Sequence, residues 1–141
     1  YVKSGGNLIV QYNTSSPLLT KKLGPYPLEL SRNRVAVENS PVKVEMGSHK
    51  VLSTPNKIGP EDFEGWVQER GLYFPDEWSK EFNAILSAHD LGENQKNGSL
   101  LVAKYGKGYY IYTGLSFFRQ FPEGVPGAYR LFANLISIGK E

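Results

Sequence analysis

The fold is decided by an aromatic stretch bounded by glycines, Lys104-Tyr105-Gly106-Lys107-Gly108-Tyr109-Tyr110-Ile111-Tyr112-Thr113-Gly114-Leu115-Ser116-Phe117-Phe118-Arg119-Gln120-Phe121-Pro122. Residues 109–113 are aromatic and β-branched, which is typical of a buried strand. The glycines at 106 and 108 predict a tight turn, so residues 99–105 and 109–113 should form a hairpin. The second strand ends in a loop that carries Arg119. Such loops deliver side chains to the rim of a sheet, where α/β proteins keep their sites.

Apolar patterns outward from this hairpin predict the other elements. Strands are predicted over residues 7–12, 34–38, 42–46 and 84–90. Helices are predicted to begin near Pro60, to span residues 77–82, and to close the chain over residues 127–138, with Tyr129, Leu131, Phe132, Leu135 and Ile136 on the buried side. Prolines and glycine in residues 13–33 predict a long loop. The alternation of strands and helices indicates one α/β layered domain over residues 1–141.

The first residues resemble the end of a helix. Residues 1–6 finish in two glycines, as helices often do, and a strand follows directly. We therefore expect the domain to be incomplete at its N-terminus and the chain to be the C-terminal piece of a longer protein.

Composition excludes several classes of function. The 141 residues include 16 basic and 14 acidic side chains, dispersed along the chain with a net charge of +2, so no basic stripe favours nucleic acid as a partner. There is no cysteine, which excludes thiolate nucleophiles, cysteine-based zinc sites and disulfides. No apolar run approaches the ~18 residues of a membrane span.

An aromatic segment from Trp66 to Trp78 is the first candidate site. Trp66, Glu69, Arg70 and Tyr73 combine flat apolar rings with planar hydrogen-bonding groups, and sugars stack on such rings while their hydroxyls bond to the polar groups. Arg119, in the loop after the hairpin, has the chemistry to clamp a ligand carboxylate. The preferred interpretation of the aromatic segment is nevertheless structural, because large aromatics are buried on average.

A second candidate is His89-Asp90-Leu91-Gly92-Glu93, at the end of a predicted strand. An imidazole with two carboxylates suits a divalent metal or a general base. In the preferred, structural interpretation, Asp90 caps the following turn and His89 packs on an aromatic ring. His49, the other histidine, lies in a predicted surface loop.

Ser116 lies in a partial nucleophile motif. Gly114-Leu115-Ser116-Phe117-Phe118 follows a strand, as the serine turn of hydrolases does, but Phe118 replaces the second glycine. Both histidines precede Ser116, and none follows it. We therefore predict no catalytic serine and no other catalytic residue.

Three blocks of the chain resemble a known family. They are residues 62–73 (DFEGWVQERGLY), 101–108 (LVAKYGKG) and 112–136 (YTGLSFFRQFPEGVPGAYRLFANLI). They resemble the C-terminal region of large, multi-domain PIG-L (LmbE-like) deacetylases of Bacteroidetes-type bacteria. That resemblance implies a class I glutamine-amidotransferase-like, flavodoxin-like domain. It also implies that the deacetylating zinc site belongs to an N-terminal domain with a His-Pro-Asp-Asp type motif, which this chain lacks.

The resemblance and the missing groups lead to one functional expectation. The amidotransferase fold uses a cysteine nucleophile, and this chain has none. We expect a non-catalytic accessory domain that docks to the upstream domains of its polypeptide or helps to hold an N-acetylated glycan, without a cofactor or metal of its own. The expected ligand surface is Trp66, Glu69, Arg70, Tyr73, His89, Asp90 and Arg119. The family's association with glycans favours an extracytoplasmic location.

Two alternatives stay open at this point. One is a metal-dependent hydrolase that uses His89, Asp90 and Glu93. The other is a purely structural interface, in which an upstream domain covers the surface from Trp66 to Tyr73.

Overall fold

The chain folds as a mixed α/β domain around a five-stranded sheet. The structure is a computed structural model that describes residues 1–13 and 23–140. Its strands are β1 (Asn7–Gln11), β2 (Leu28–Val35), β3 (Val42–Val44), β4 (Gly71–Trp78), β5 (Asn83–Ala88), β6 (Lys96–Tyr105) and β7 (Gly108–Thr113). Its helices are α1 (Phe117–Gln120) and α2 (Pro126–Ser137), with 3-10 turns at Lys50–Leu52 and Pro60–Phe63.

The main sheet has the strand order β1-β7-β6-β5-β3, and β2 pairs with β4 in a separate antiparallel ribbon. Within the main sheet β1 runs parallel to β7, from the pair Asn7–Tyr109 to the pair Gln11–Thr113, and the other neighbours are antiparallel. The carboxyl ends of β1 and β7 therefore lie at the same edge. The segments that follow Gln11 and Thr113 meet there.

Each face of the sheet buries one apolar layer. Alternate residues of a strand point to opposite faces, and in β6 Leu100 and Val102 contact the layer of α2 while Leu101 and Ala103 contact the layer of β2. The α2 layer also contains Phe63, Trp66, Phe117, Leu131 and Leu135, and the β2 layer contains Leu28, Leu30, Phe82, Tyr110 and Tyr112. Neither helix in the described part of the chain is long and apolar enough to cross a membrane.

Several predicted elements are confirmed. The hairpin of β6 and β7 turns at Gly106, whose φ of +61° favours glycine. Strands β1, β3 and β5 lie within the predicted ranges, apart from Asn83. Helix α2 matches the closing helix predicted over residues 127–138 to within one residue at each end. The predicted α/β class is also confirmed.

Other predictions are wrong for identifiable reasons. The predicted loop over residues 13–33 contains the start of β2, since Leu28 pairs with Trp78, and residues 14–22 lie outside the described residues. The same pairing makes residues 77–78 the end of β4 instead of a helix. The predicted strand at 34–38 stops at Val35, and residues 2–5 form a turn instead of a helix. Whether each of these segments forms its predicted element depends on a partner that is distant in sequence. The local pattern does not show whether that partner is present.

The buried side of α2 was also predicted incorrectly in part. Leu131 and Leu135 are buried, but Tyr129 and Ile136 are about half exposed. The helix therefore carries a second apolar stripe that faces away from the sheet.

Candidate functional site

Six side chains gather at the carboxyl ends of β1 and β7. We call them the carboxyl-edge cluster: Tyr12, Gln68, Glu69, Tyr73, Phe118 and Arg119. Tyr12 follows β1, Phe118 and Arg119 lie on α1 just after β7, and the other three come from the loop before β4 and from β4 itself. In α/β sheets this edge is the usual location of ligand sites.

Glu69 is the polar centre of the cluster. Its Oε1 accepts hydrogen bonds from the Tyr12 hydroxyl at 2.6 Å and from Arg119 Nε at 2.8 Å. A second guanidinium nitrogen of Arg119 donates to Gln68 Oε1 at 2.7 Å. One cation and one carboxylate are therefore paired, and the cluster has no net charge.

Two groups of the cluster, Tyr12 and Arg119, have raised pKa values. Burial, and then the hydrogen bond to Glu69, raise the pKa of the Tyr12 phenol. The hydrogen bond to Glu69 also raises the pKa of the Arg119 guanidinium. Near neutral pH Tyr12 therefore remains a hydroxyl and Arg119 a cation, and both donate hydrogen bonds to Glu69.

Aromatic rings surround the polar centre. The Tyr12 ring meets Tyr73 and Phe118 edge to face, with centroids 5.2 and 4.8 Å apart. The Arg119 guanidinium lies 4.8 Å from the centroid of Phe118. Phe118 is 47% exposed despite these contacts, so the cluster presents a partly exposed aromatic ring beside polar groups.

The backbone of the cluster is strained. Tyr12, Gln68 and Tyr73 have φ angles of +45°, +70° and +62°, and no other non-glycine residue in 1–13 and 23–140 has a positive φ. Such conformations cost on the order of 1–3 kcal/mol each and concentrate at functional sites. Their confinement to one cluster supports a functional role for it.

Buried polar side chains fasten the loop of the cluster to α1. The Ser116 hydroxyl donates to the Glu69 carbonyl at 2.9 Å, and Gln120 bonds both the N–H and the carbonyl of Val67, at 2.8 and 3.0 Å. Both side chains are fully buried. The Ser116 proton is thus used within the fold, and its role here is to position residues 67–70.

Two of the predicted residues, Trp66 and Arg70, lie in the interior instead. Trp66 is 3% exposed, and its Nε1 donates to the Asp62 carbonyl at 2.9 Å. Arg70 donates to the carbonyls of Ser40, at 3.0 Å, and Phe63. Burial lowers the pKa of Arg70 to about 10, so the buried guanidinium remains charged near neutral pH. Both residues border a pocket of about 660 Å³ whose other walls include Val37, Pro41, Pro60 and Glu64.

Asp90 holds the loop on the far side of this pocket. Its carboxylate accepts hydrogen bonds from the N–H groups of Ala36 and Val37, at 2.8 and 3.1 Å, and from the Ser40 hydroxyl at 2.6 Å. Burial acts to raise the pKa of Asp90, but these hydrogen bonds, with the charge of Arg34, outweigh it and hold that pKa below its usual value. Asp90 therefore fixes the loop that Arg70 also fixes through Ser40.

The neighbours of Asp90 do not form a site with it. Glu93 pairs with Lys96 at 3.5 Å on the surface, and His89 Nδ1 is buried without a hydrogen-bond partner among the described residues. Within residues 1–13 and 23–140, no three His, Asp or Glu side chains are arranged to hold a metal ion. The geometry thus gives no support to the metal-hydrolase alternative, which stays a hypothesis.

The Asp90→Asn substitution should loosen this loop. The asparagine NH2 group would then face one of the two backbone N–H donors, that of Ala36 or that of Val37, and that hydrogen bond would be lost. We therefore expect the free energy of unfolding at neutral pH to fall by about 1–3 kcal/mol. Because the folded-state pKa of Asp90 is lowered, its stabilisation is complete above the unfolded value of 3.8 and is lost as the pH falls through the folded value. Urea unfolding between pH 2 and 7 measures both effects. If the Asp90→Asn variant keeps the acid sensitivity of the original protein, Asp90 does not have this role.

The predicted site residues therefore fall into three groups. Glu69, Tyr73 and Arg119 join the carboxyl-edge cluster, Trp66 and Arg70 are interior, and His89 and Asp90 lie at the end of β5. Sequence reasoning missed Tyr12, Gln68 and Phe118. The available signal for Phe118 was its place four residues after Gly114, in the loop that follows the predicted strand.

No protein-family model matches the sequence, and no curated protein matches it.

Proposed function

We propose that this chain is a non-catalytic, carbohydrate-binding accessory domain, and that its ligand surface is the carboxyl-edge cluster. One observation carries the proposal: an exposed aromatic ring and a neutralised Tyr–Glu–Arg network meet at the carboxyl ends of two parallel strands. Ligands bind at this position in open α/β sheets.

The chemistry of the cluster supports binding over catalysis. Ser116, the serine that fastens the loop of the cluster, is fully buried and bonded to backbone, and the cluster contains no imidazole or cysteine. Its carboxylate is already paired with Arg119 at 2.8 Å. A general base must accept a proton from the substrate, and Oε1 of this carboxylate already accepts hydrogen bonds from Tyr12 and Arg119.

The same chemistry favours an uncharged, hydroxyl-rich ligand. Because Glu69 neutralises Arg119, an anionic ligand would have to compete with a carboxylate that is already in place. A sugar needs no compensating charge: its C–H face stacks on a ring such as Phe118, and its hydroxyl and acetamido groups bond to Gln68, Tyr12 or Arg119. An N-acetylated glycan fits these requirements.

The family-level part of the proposal rests on the resemblance of residues 62–73, 101–108 and 112–136. In this proposal the domain is class I amidotransferase-like and flavodoxin-like, and it belongs to a PIG-L-type de-N-acetylase whose zinc chemistry takes place in another domain. The parallel pair of β1 and β7 and the absence of cysteine are consistent with an amidotransferase-like fold without amidotransferase activity. An extracytoplasmic location accompanies this proposal.

Phe118→Ala should weaken glycan binding without harming the fold. Loss of one stacked ring costs about 1.4 kcal/mol or more, which is tenfold in Kd. The probe is an N-acetylglucosamine trimer, titrated into the 141-residue chain and followed by NMR amide shifts. We expect shifts in residues of the cluster and at least a tenfold rise in Kd for the variant.

Tyr129→Ala is the matched control. Tyr129 is 50% exposed, close to the value for Phe118, but it lies on α2 outside the cluster. Its replacement should leave Kd unchanged. Equal effects of the two variants, or no shifts with the trimer at millimolar concentration, would falsify the glycan-binding proposal.

A further inference from the structure

We propose that the pocket of about 660 Å³ beside Arg70 is a second binding site, and that it takes a small monocarboxylate with an apolar body. The carboxylate binds the buried guanidinium of Arg70, and the apolar body fills the space between the two loops that wall the pocket. This site is separate from the carboxyl-edge cluster and goes beyond the proposed binding of glycan.

Arg70 is a buried cation without a paired anion. It is 5% exposed, and within residues 1–13 and 23–140 no carboxylate lies at ion-pair distance from its guanidinium. Glu38 acts on it only through space. Arg119 and Arg130 are more exposed, yet each pairs with a carboxylate at 2.8 Å. Because a buried charge is costly unless it is paired, an anion in the pocket would supply the partner that Arg70 lacks.

The guanidinium of Arg70 also keeps donors in reserve. It has five N–H groups. Nε donates to the Ser40 carbonyl at 3.0 Å and Nη1 to the Phe63 carbonyl, but Nη2 donates to no described residue. In the described part of the chain, the only enclosed side-chain nitrogen or oxygen without a partner belongs to His89, so Nη2 is accessible. Since Arg70 lines the pocket, this edge is available to a ligand there, and a carboxylate matches its geometry.

The two walls of the pocket are held in place before any ligand binds. One wall is residues 37–42, which Asp90 anchors through three hydrogen bonds to this loop and its first residues. The other is residues 60–66, where the buried Asp62 carboxylate pairs with an arginine of α2 at 2.8 Å. Arg70 bonds to both walls and so joins them. A ligand therefore does not have to order the walls, which lowers the cost of binding.

The lining of the pocket determines the body of the ligand. Most of the lining side chains are apolar: Val37, Pro41, Val42, Pro60, Phe63 and Trp66. The Arg70 guanidinium lies 5.9 Å from the centroid of the Trp66 ring, so a carboxylate bound to it brings the attached body close to the indole. Apolar walls around one charged group, in a volume of this size, are typical of small-molecule sites.

Two further carboxylates set the charge of the ligand. Glu38 and Glu64 line the pocket, and both are exposed. They repel a second negative charge, which disfavours phosphate and dicarboxylates. A monocarboxylate places its single charge on Arg70 and presents only apolar atoms elsewhere. The charge pattern therefore favours a monocarboxylate over other anions.

The test titrates phenylacetate and octanoate, which have an aromatic and an aliphatic body, into the 141-residue chain. NMR amide shifts and tryptophan fluorescence report binding. We expect shifts in residues 37–42 and 63–70, and at least tenfold weaker binding of phenylacetamide, because it lacks the charge that bonds to Arg70. Inorganic phosphate should also bind more weakly. Equal binding of phenylacetamide, tighter binding of phosphate, or no shifts with either carboxylate at millimolar concentration would overturn the inference.

Three variants locate the site. Arg70→Gln should raise the Kd of phenylacetate at least tenfold. Glu38→Gln keeps an oxygen for the Gln68 N–H but removes a repelling charge, so it should lower Kd roughly threefold. Glu61→Gln is the matched control, since Glu61 is exposed on the turn at Pro60–Phe63 but does not line the pocket.

The Glu38 and Glu61 variants decide the matter even if Arg70→Gln does not fold. Equal Kd values for Glu38→Gln and Glu61→Gln would contradict a carboxylate beside Arg70, as would an unchanged Kd in a folded Arg70→Gln variant. Binding of the glycan trimer at Phe118 is measured separately in the same chain. Either proposal can therefore fail alone.

Discussion

Phe117→Ala is expected to lower the free energy of unfolding by about 3–5 kcal/mol, the range for loss of a fully buried phenylalanine. Phe117 is inaccessible to solvent and packs against Trp66, Phe121 and Phe132, with ring centroids 5.7, 5.8 and 5.2 Å away. Its removal leaves a cavity between α1, α2 and the sheet. The total free energy of unfolding of a domain of this size is about 5–15 kcal/mol, so this loss is a large fraction of its stability.

The neighbouring residue supplies the control. Phe118→Ala removes the same ring one position along, but from a half-exposed site, so it should cost less than about 1 kcal/mol. Chemical denaturation of both variants measures the difference. The two variants should therefore differ in what they affect. Phe117→Ala should reduce stability, and Phe118→Ala should reduce glycan affinity. Equal stability of the two variants would show that the aromatic core is packed differently.

Gly127→Ala is expected to destabilise the protein by about 3 kcal/mol or more, through overpacking and the loss of a charge pair. A Cβ at Gly127 would overlap the Asp62 carbonyl oxygen, and backbone cannot yield as a side chain does. α2 would have to move away from the turn at Pro60–Phe63, which would break the 2.8 Å bond between Arg130 and the buried Asp62 carboxylate. The helix propensity gained from alanine, about 1 kcal/mol, is too small to compensate.

Gly47→Ala is the matched change. A Cβ at Gly47 would meet only Val44 Cγ1 at 3.6 Å, which is ordinary contact, so this variant should be neutral or slightly more stable. Thermal unfolding of the two alanine variants measures the contrast. If Gly127→Ala melts within a degree or two of the unchanged protein, the close contact of α2 with Asp62 does not exist.

Local patterns were sufficient to predict elements whose structure depends on residues adjacent in sequence. The glycine turn at 106–108 and the aromatic run after it fixed the hairpin, because turn geometry and burial there depend on adjacent residues. The ribbon of β2 and β4 was missed, because Leu28 becomes a strand residue only by pairing with Trp78. The charged residues around Glu77 have no strand signal of their own.

The candidate site shows the same division. Glu69, Tyr73 and Arg119 attract attention by residue type, but nothing local distinguishes Tyr12. Tyr12 reaches Glu69 only because β1 runs parallel to β7, which places the end of each strand at one edge. Conversely, Trp66 and Arg70 are residue types that often occur in binding surfaces, but here both are buried. Tertiary packing, and not residue type, decides which side chains are exposed to solvent.

The sequence alone determined the α/β class, the hairpin, the closing helix and the lack of a cysteine nucleophile, since each depends on composition or on neighbours within a few residues. Only the tertiary structure decided that β1 lies at one end of the strand order beside β7 and that Tyr12, Glu69 and Arg119 share one hydrogen-bonded network. Parallel pairing joins segments about a hundred residues apart, and no periodicity within either segment specifies its partner.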